Sequence, residues 1–507
     1  MKDTGFARLR PRLEQAAKLH QRGEHARAIE LYRALLAEAP ELPPLLNLLG
    51  LALVQRGAVA EGLQHLNKAV HLAPNFADAW LNLAFARYES GDRDGAMAAY
   101  RTLLRLVPNH LTGLLSLASL SATGGLTETV TLLRKATEVA PDRALPWLRL
   151  RRAYLALGNS AGVAEVDRRL AQLNLRTAEE HVEAGNIELA ERRPAEAMAH
   201  FRKAAELEPG LAAAVVGLGD ALAQAEQYPA AAEAFRRATQ LAPRRSSAWI
   251  SLGTTLLAMK ERDGAALAFE EALTREESPI ARHLLKAARG NEDGGDVTPP
   301  EYIKWRYEQR ALGFNKVIEQ LGSVLPQTIG GLLTTLAPQG FRNALDLGCG
   351  TGICSEMLRP RCQRLVGLDL SHAMLTVARA TMRYDDLIER EAVSYLAATT
   401  ESYDLILTVD MLPHVGDLSP LIGQVRQHLL PEGLFVATVQ QAEHGQPPAK
   451  GYALQLSGNY VHAPSYLESV AQANGLQPVH VADVVLPRDK DRPGRGTLAA
   501  FRAPPDR

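Results

Sequence analysis

Three glycines two residues apart, Gly348, Gly350 and Gly352, close the stretch A-L-D-L-G-C-G-T-G at 344–352. The apolar run before them, Ala344-Leu345-(Asp346)-Leu347, has the composition of a buried parallel strand. Glycine at such a point lets a strand-to-helix turn bring its backbone against a ligand, because no Cβ intervenes and φ > 0 is accessible. A second acid, Asp369, ends the next apolar run, R-L-V-G-L-D, twenty-three residues after Asp346. An acid at the tip of the following strand, about 20 residues on, is where doubly wound sheets bind ribose hydroxyls. The spacing G-x-G-x-G departs from the dinucleotide fingerprint G-x-G-x-x-G, whose helix N-terminus takes a pyrophosphate. Asp346 beside the turn disfavours a phosphate and suits a cationic amino-acid head group. A nicotinamide or flavin nucleotide, or a turn with no ligand, are the alternatives.

Candidate reacting groups lie farther along. Asp410 ends Y-D-L-I-L-T-V-D at 403–410, His414 follows in M-L-P-H-V, and His462 stands in Y-V-H-A. Histidine titrates near neutrality, so His414 or, second, His462 can take a proton from a hydroxyl or ammonium. Packing or hydrogen bonding is the other role for each. Tyr452 and Tyr460 either line an acceptor pocket or fill the loop before the next helix.

The stretch 344–352 resembles the first motif, D-x-G-x-G-x-G, of the class I S-adenosylmethionine (SAM) methyltransferases. The blocks D-L-S-x-x-M-L at 369–375, Y-D-L-I at 403–406, L-x-P-x-G-L-F at 429–435 and Y-V-H-A-x-x-Y at 460–466 extend the resemblance over most of residues 300–503. It implies a Rossmann-like α/β domain with a seven-stranded, mostly parallel sheet, and SAM as cofactor. It places Gly348, Gly350 and Gly352, with Cys349 in the same turn, against the methionine part and ribose. Asp346 would help hold the ammonium, and Asp369 would accept both ribose hydroxyls. Leu370 and Met374 would flank the adenine, and Glu391, with Glu389 close by, would meet its amine. Asp410 would face the sulfonium and the acceptor. Methyl transfer is an in-line displacement, so alignment is the main requirement; no metal is expected. Cys349, Cys354 and Cys362 lack zinc-ligand spacing.

The elements that must position these groups follow in order. Helices are expected near 353–358, from Ser371 as N-cap, near 418–430 and at 464–474. Strands are expected at 364–368, 403–410 and 434–439, and 479–485 pairs with 497–502 as a last hairpin. Strands alternating with helices predict a parallel sheet with an antiparallel edge. Upstream, G-N-E-D-G-G-D-V-T-P-P at 290–300 reads as a linker, since Gly, Asp and Pro cannot build a core helix. Residues 302–321 then read as amphipathic helices carrying Tyr302, Trp305, Tyr307, Phe314 and Ile318. They resemble the Y-V-x-x-x-F-D-x-x-A-x-x-F-D segment of bacterial fusions of repeat arrays with class I methyltransferases, with Glu308 and Asn315 in place of the usual Asp residues. The resemblance implies a lid, with Tyr307 among the cofactor-binding residues; padding of the sheet edge is the alternative.

Prolines organise the first half. Pro40, Pro74 and Pro108 stand 34 residues apart, as do Pro209 and Pro243, and that is the tetratricopeptide (TPR) period. Ala28, Tyr32 and Pro40 recur as Ala96, Tyr100, Pro108, as Ala197, Phe201, Pro209 and as Ala231, Phe235, Pro243. Units are expected near 9–42, 43–76, 77–110, 178–211, 212–245 and 246–279. Weaker units lie at 111–142 and 143–177, the latter a candidate bend, and 280–289 is a capping helix. Such an array captures a protein or carrier-bound acceptor or partner, or else only packs or oligomerises. Arg149, Arg151, Arg152, Arg168 and Arg169 receive an acidic partner or, more simply, form a solvated helix face.

A formal net charge of −1 implies no nucleic-acid or membrane partner, and three sparse cysteines suit a reducing cytosol. The N-terminus shows no apolar signal region and no stretch is apolar enough to span a bilayer, so a cytoplasmic protein is expected. The expected organisation is 1–289 repeat array, 290–300 linker and 301–507 methyltransferase domain. The expected function is methyl transfer to an O or N acceptor recruited by the array. A scaffold that binds SAM without turnover, and a small-molecule methyltransferase with an oligomerising array, are the rivals.

Overall fold

The computed structural model describes residues 3–122, 125–290, 297–308, 324–442, 448–486 and 494–505. The chain divides into two compact units, Met1–Leu175 and Arg176–Arg507. The second contains both helical repeats and the α/β domain, so the repeats from Arg176 onward share a unit with the sheet. The division falls at the end of the unit that lacks a terminal proline.

Among the described residues of the first unit are five helix pairs, from Asp3–Gln21 with His25–Glu38 to Ala144–Ala156 with Ser160–Leu170. The small and aromatic repeat positions are buried, with Ala28, Tyr32, Ala96 and Tyr100 in the cores. Trp80 Nε1 donates to the carbonyl of Pro74 at 2.7 Å, and Trp147 Nε1 to that of Pro141 at 3.1 Å, so each tryptophan ties its helix to the preceding turn. The arginine cluster is engaged within the array. Arg151 pairs with Asp167, Arg149 bonds Leu115 O, and Arg169 donates to Pro141 O while lying over Trp147.

The second unit begins with three more pairs, Ala178–Ala190 with Pro194–Leu207, Ala212–Gln224 with Tyr228–Leu241, and Ser246–Ala258 with Arg262–Leu273. Helix Pro279–Arg289 caps them. A Cβ on Gly219 would stand 2.6 Å from the Phe235 ring, and one on Gly185 2.8 Å from the Phe201 ring. The aromatic of one helix therefore occupies the space that glycine leaves on its partner, which is the close-packed arrangement of protein interiors.

The α/β domain has strands β1 (Phe341–Leu347), β2 (Cys362–Asp369), β3 (Asp386–Glu389), β4 (Tyr403–Thr408), β5 (Leu429–Gln440), β6 (Tyr452–Leu454), β7 (Tyr460–His462), β8 (Gln477–Leu486) and β9 (Gly494–Arg502). Seven form one sheet in the order β3-β2-β1-β4-β5-β9-β8, parallel except for β9 and its pairs. Strands β6 and β7 make a separate antiparallel hairpin where the sequence suggested only the loop before the next helix. The central strands read as continuous apolar runs because both faces are covered. Leu345, Leu347 and Ile406 pack on one face with Leu421, Ile422 and Leu467. Ala344, Leu405 and Leu407 pack on the other with Ile329, Leu333 and Leu358.

The hairpin joins the repeats to the domain. His283, on the capping helix, shares a 2.8 Å hydrogen bond through Nε2 with the carbonyl of Gly458. Tyr302 is buried among the last repeats, packs its ring at a tilt against His283 with the centroids 4.8 Å apart, and donates its hydroxyl to Ser457 O at 3.1 Å. Ala311, Phe314, Asn315 and Ile318, assigned above to the lid, lie outside the described residues.

Candidate active site

One cavity opens at the carboxyl ends of β1 to β4, where open α/β sheets bind ligands. The turn after β1 forms its floor. Gly350 has φ +56° and no atom within 4 Å of where a Cβ would stand, so its bare backbone faces open space. Gly348 and Cys349 both donate their amides to Leu368 O, at 2.8 and 2.9 Å, and so tie the turn to the end of β2. Asp369, the last residue of β2, accepts from Gly350 N at 2.9 Å and from Ser371 N at 2.8 Å. Burial raises its carboxyl above the usual range, against the pull of those amides. Asp346 is buried, accepts from the Tyr384 hydroxyl at 2.7 Å, and is pushed up to about 7, mainly by desolvation. Tyr384 carries no motif and went unnoticed in the sequence. Cys349 is a buried thiol raised well above its ordinary value, again by burial.

Past β2, Ser371 caps the helix His372–Ala380 through Met374 N, and Leu370 and Met374 line the cavity. Of the two nearby glutamates, Glu391 lines the cavity while its oxygens accept from Val393 N and Ser394 N as the N-cap of Ala392–Ala398. Glu389 turns to His372 at 2.9 Å and Lys304 at 3.6 Å. Asp410, two residues beyond β4, has φ +58° and donates its amide to Thr438 Oγ1 at 3.0 Å. A left-handed backbone at a non-glycine is strained, and such strain gathers at functional sites.

His414 ends the short turn Leu412–His414, is buried, and lines the same cavity. Its Nε2 lies 2.9 Å from the Tyr307 hydroxyl, with the rings edge to face. Tyr307, expected over the cofactor, thus reaches the histidine. Burial, with the charges of Arg306 and His283 adding to it, lowers His414 to about 3, so the imidazole is neutral at physiological pH. His462 stays out of the cavity. It is buried on β7, and Nε2 lies 2.8 Å from Val415 O and 3.2 Å from Gly416 O, so it steadies the segment after His414. Tyr452 and Tyr460 likewise cluster with each other, and Tyr452 also packs against His462 and Tyr466, away from the lining. Conversely, Val297, Thr298 and Pro300, read as linker, form part of the wall. The residue before a proline is held extended, and Val-Thr ahead of two prolines was the signal that could have marked a strand-like segment.

A model described as a methyltransferase domain matches residues 345–437, and one described as a tetratricopeptide repeat matches 53–118 and 188–252. The chain is 30% identical over 178 residues to a ubiquinone biosynthesis O-methyltransferase of Stutzerimonas stutzeri, a match spanning 34% of this chain and 72% of that protein. This chain belongs to the SAM-dependent methyltransferases. The methyltransferase is also 30% identical over 161 residues to a malonyl-[acyl-carrier protein] O-methyltransferase of Salmonella typhimurium, over 31% of its own length and 62% of the relative's. It spans only about half the length of further curated relatives. Among solved structures it is similar to the N-methyltransferase NodS of Bradyrhizobium japonicum, at 20% identity and TM-score 0.29 over 35% of this chain and 96% of that one.

The lining of the methyltransferase fits its cofactor. Four carboxylates, Asp346, Asp369, Glu391 and Asp410, meet a single described cation, Arg390. That balance suits a sulfonium and an ammonium and opposes a pyrophosphate. The open space at Gly350 leaves room for a ligand against the backbone, and Leu370 and Met374 give that lining an apolar part.

Proposed function

We propose that this methyltransferase moves the methyl group of SAM to an oxygen or nitrogen acceptor, oxygen being favoured, and that its repeats recruit a protein or carrier that bears the acceptor. The observation that carries the reading is the shared cavity, which Asp369 and the turn from Gly348 line together with the His414–Tyr307 pair. Both curated relatives described above are O-methyltransferases, and one acts on an acyl-carrier protein. The seating of Tyr302 and His283 against the hairpin supports a tie between repeats and catalytic domain.

Bound SAM supplies a methyl group already activated by the positive sulfur. The chain's own residues align and protect. Asp369 would take the ribose hydroxyls, Gly348, Gly350 and Gly352 the methionine part and ribose, and Asp346 the ammonium. Leu370 and Met374 would flank the adenine, whose amine Glu391 would meet. Asp410, held in its strained turn, would face the reacting carbon. Alignment of this kind is worth roughly 7–11 kcal/mol of barrier. When Nε2–H of His414 donates to the Tyr307 oxygen, Nδ1 carries the lone pair and accepts the acceptor's proton. Burial keeps the imidazole neutral and Nδ1 covered, so His414 would take the proton only once acceptor binding exposes that nitrogen.

Calorimetric titration of the full chain with SAM, followed by transfer of tritiated methyl to a cell extract, tests the reading. Binding with transfer into the protein or carrier fraction is expected. Binding of NAD or FAD in place of SAM would overturn it, and SAM binding with no transfer to any fraction would leave a scaffold.

A further inference from the structure

The block Y-V-H-A-x-x-Y at 460–466 contributes none of the described residues that line the cavity, yet it holds the chain that leaves it. After His414 the chain runs Val415-Gly416-Asp417-Leu418, and the block grips all four residues. His462 Nε2 meets Val415 O at 2.8 Å and Gly416 O at 3.2 Å. Tyr466, in the helix Pro464–Ala473, donates its hydroxyl to Asp417 Oδ1 at 2.9 Å and accepts from Leu418 N at 3.1 Å. The His462 and Tyr466 rings lie nearly parallel, with centroids 6.2 Å apart. Carbonyl oxygens only accept, so Nε2 of His462 carries the proton and Nδ1 the lone pair. That Nδ1 is buried with no hydrogen-bond partner among the described residues, so Nε2 alone fixes the tautomer. From the other side Thr298 N donates to His414 O at 3.1 Å, and Val297 bridges to Val415. His414 and Val415 line the cavity, so this clasp acts on its wall.

The clasp is anchored on the last repeats. The loop 455–459 between β6 and β7 is closed by Gln455 N to Asn459 O at 2.8 Å and Gly458 N to Gln455 O at 2.9 Å. Leu456 packs against the core of the last repeats, while His283 and Tyr302 bond Gly458 O and Ser457 O. Gly458 has φ +78°, and a Cβ there would stand 2.9 Å from Cζ of Tyr302 and closer still to its hydroxyl. Backbone and space both exclude a side chain at that point. Four residues on, His462 pairs with Tyr452 at the far end of the hairpin.

We propose that His462 is a positioning residue for methyl transfer: through Val415 and Gly416 it fixes where His414 stands, and the seating of the hairpin tip on the repeats fixes His462 in turn. The proposal rests on the methyltransferase reading and adds to it a part for the last repeats in turnover itself.

The test compares full-length wild type, His462→Leu, His462→Gln, Gly458→Ala and the double variant of Gly458→Ala with His462→Leu. Each is read by the SAM Kd, by tritiated-methyl transfer from SAM to cell extract, and by the nitrogen NMR resonances of the His414 imidazole. His462→Leu loses the donor to both carbonyls and is expected to slow transfer about tenfold, with the SAM Kd within about twofold of wild type and the His414 resonances shifted. His462→Gln restores an N–H donor and is expected to bring the rate back to within about threefold and the resonances back toward wild type. Gly458→Ala is expected to slow transfer about threefold, and the double variant to be at most about twofold slower than His462→Leu, because both changes act along one path. Wild-type rate and resonances in His462→Leu would overturn the proposal. So would a SAM Kd that weakens in step with the rate, or a glutamine variant no better than leucine, since either means packing alone. Effects of the two sites that multiply would overturn the link between tip and clasp. Wild type that binds SAM and labels nothing would defeat the methyltransferase reading, and the His414 resonances would still judge the clasp by themselves.

Discussion

On the proposed reading, the cofactor end and the acceptor end of the cavity are built by different means. At the cofactor end, most of the groups belong to two short, nearly contiguous stretches, 346–352 and 369–374, and much of the work is done by backbone. Gly350 N, Ser371 N and the amides of Gly348 and Cys349 fix that end through main-chain donors. At the acceptor end, Thr298, Tyr307 and His414 come from three separate segments and meet only in the folded chain. Main-chain geometry at strand tips is shared by any chain that folds this way, and side chains gathered from afar are free to vary with the acceptor. The first end should therefore set cofactor affinity and the second should set turnover.

Substitutions can break or sharpen that division. The largest effect is expected from Asp369→Ala. It removes charge-assisted hydrogen bonds worth about 1.5–3 kcal/mol each, so SAM affinity should fall about 10²–10⁴-fold by calorimetry. Next comes Gly350→Ala. Its φ of +56° is unfavourable to a side chain, and the added methyl would stand in the open space of the floor. SAM affinity should weaken about 10–100-fold, and the free energy of unfolding should fall by no more than the strain of one left-handed residue, about 1–3 kcal/mol.

A smaller effect concerns pH. Asp346 sits at about 7 without a ligand. A bound ammonium favours the charged carboxylate, so the bound form titrates lower and binding releases a proton. Affinity for SAM should rise as pH goes from 6 to 8, by at most about tenfold per unit below 7, and flatten above it. Asp346→Asn should abolish the slope; an unchanged slope would remove Asp346 from the account. The smallest effect is expected from Tyr307→Phe, which deletes one hydrogen bond to His414. Transfer should slow about 3–10-fold with SAM affinity unchanged; a loss of affinity instead would return Tyr307 to the cofactor end, where the family resemblance had placed it.

The same contrast explains what could be read from the chain alone. The 34-residue proline spacing, with Ala and Phe or Tyr at set offsets, announced the helix pairs, because each repeat meets the same packing problem that Gly219 and Phe235 solve. That the glycine turn, Asp369 and Glu391 would line a cavity was legible because strand tips and helix caps have local signatures. Glu391 was already named ahead of its neighbour Glu389, which the structure turns to His372 and Lys304. Thr298 and Tyr384 were not legible, since their roles come from partners more than thirty residues away, His414 and Asp346. His462 looked reactive in Y-V-H-A and proved to be a buried partner of Val415 and Gly416, a distinction no spacing encodes.

The separation of the two ends is tested most directly by one paired measurement on His414→Gln, with SAM affinity from calorimetry and single-turnover methyl transfer from the same preparation. Loss of the proton-accepting nitrogen should slow transfer about 10²-fold while the SAM Kd stays within about twofold of wild type. Transfer at the wild-type rate, or a Kd that weakens in step with the rate, would contradict the account.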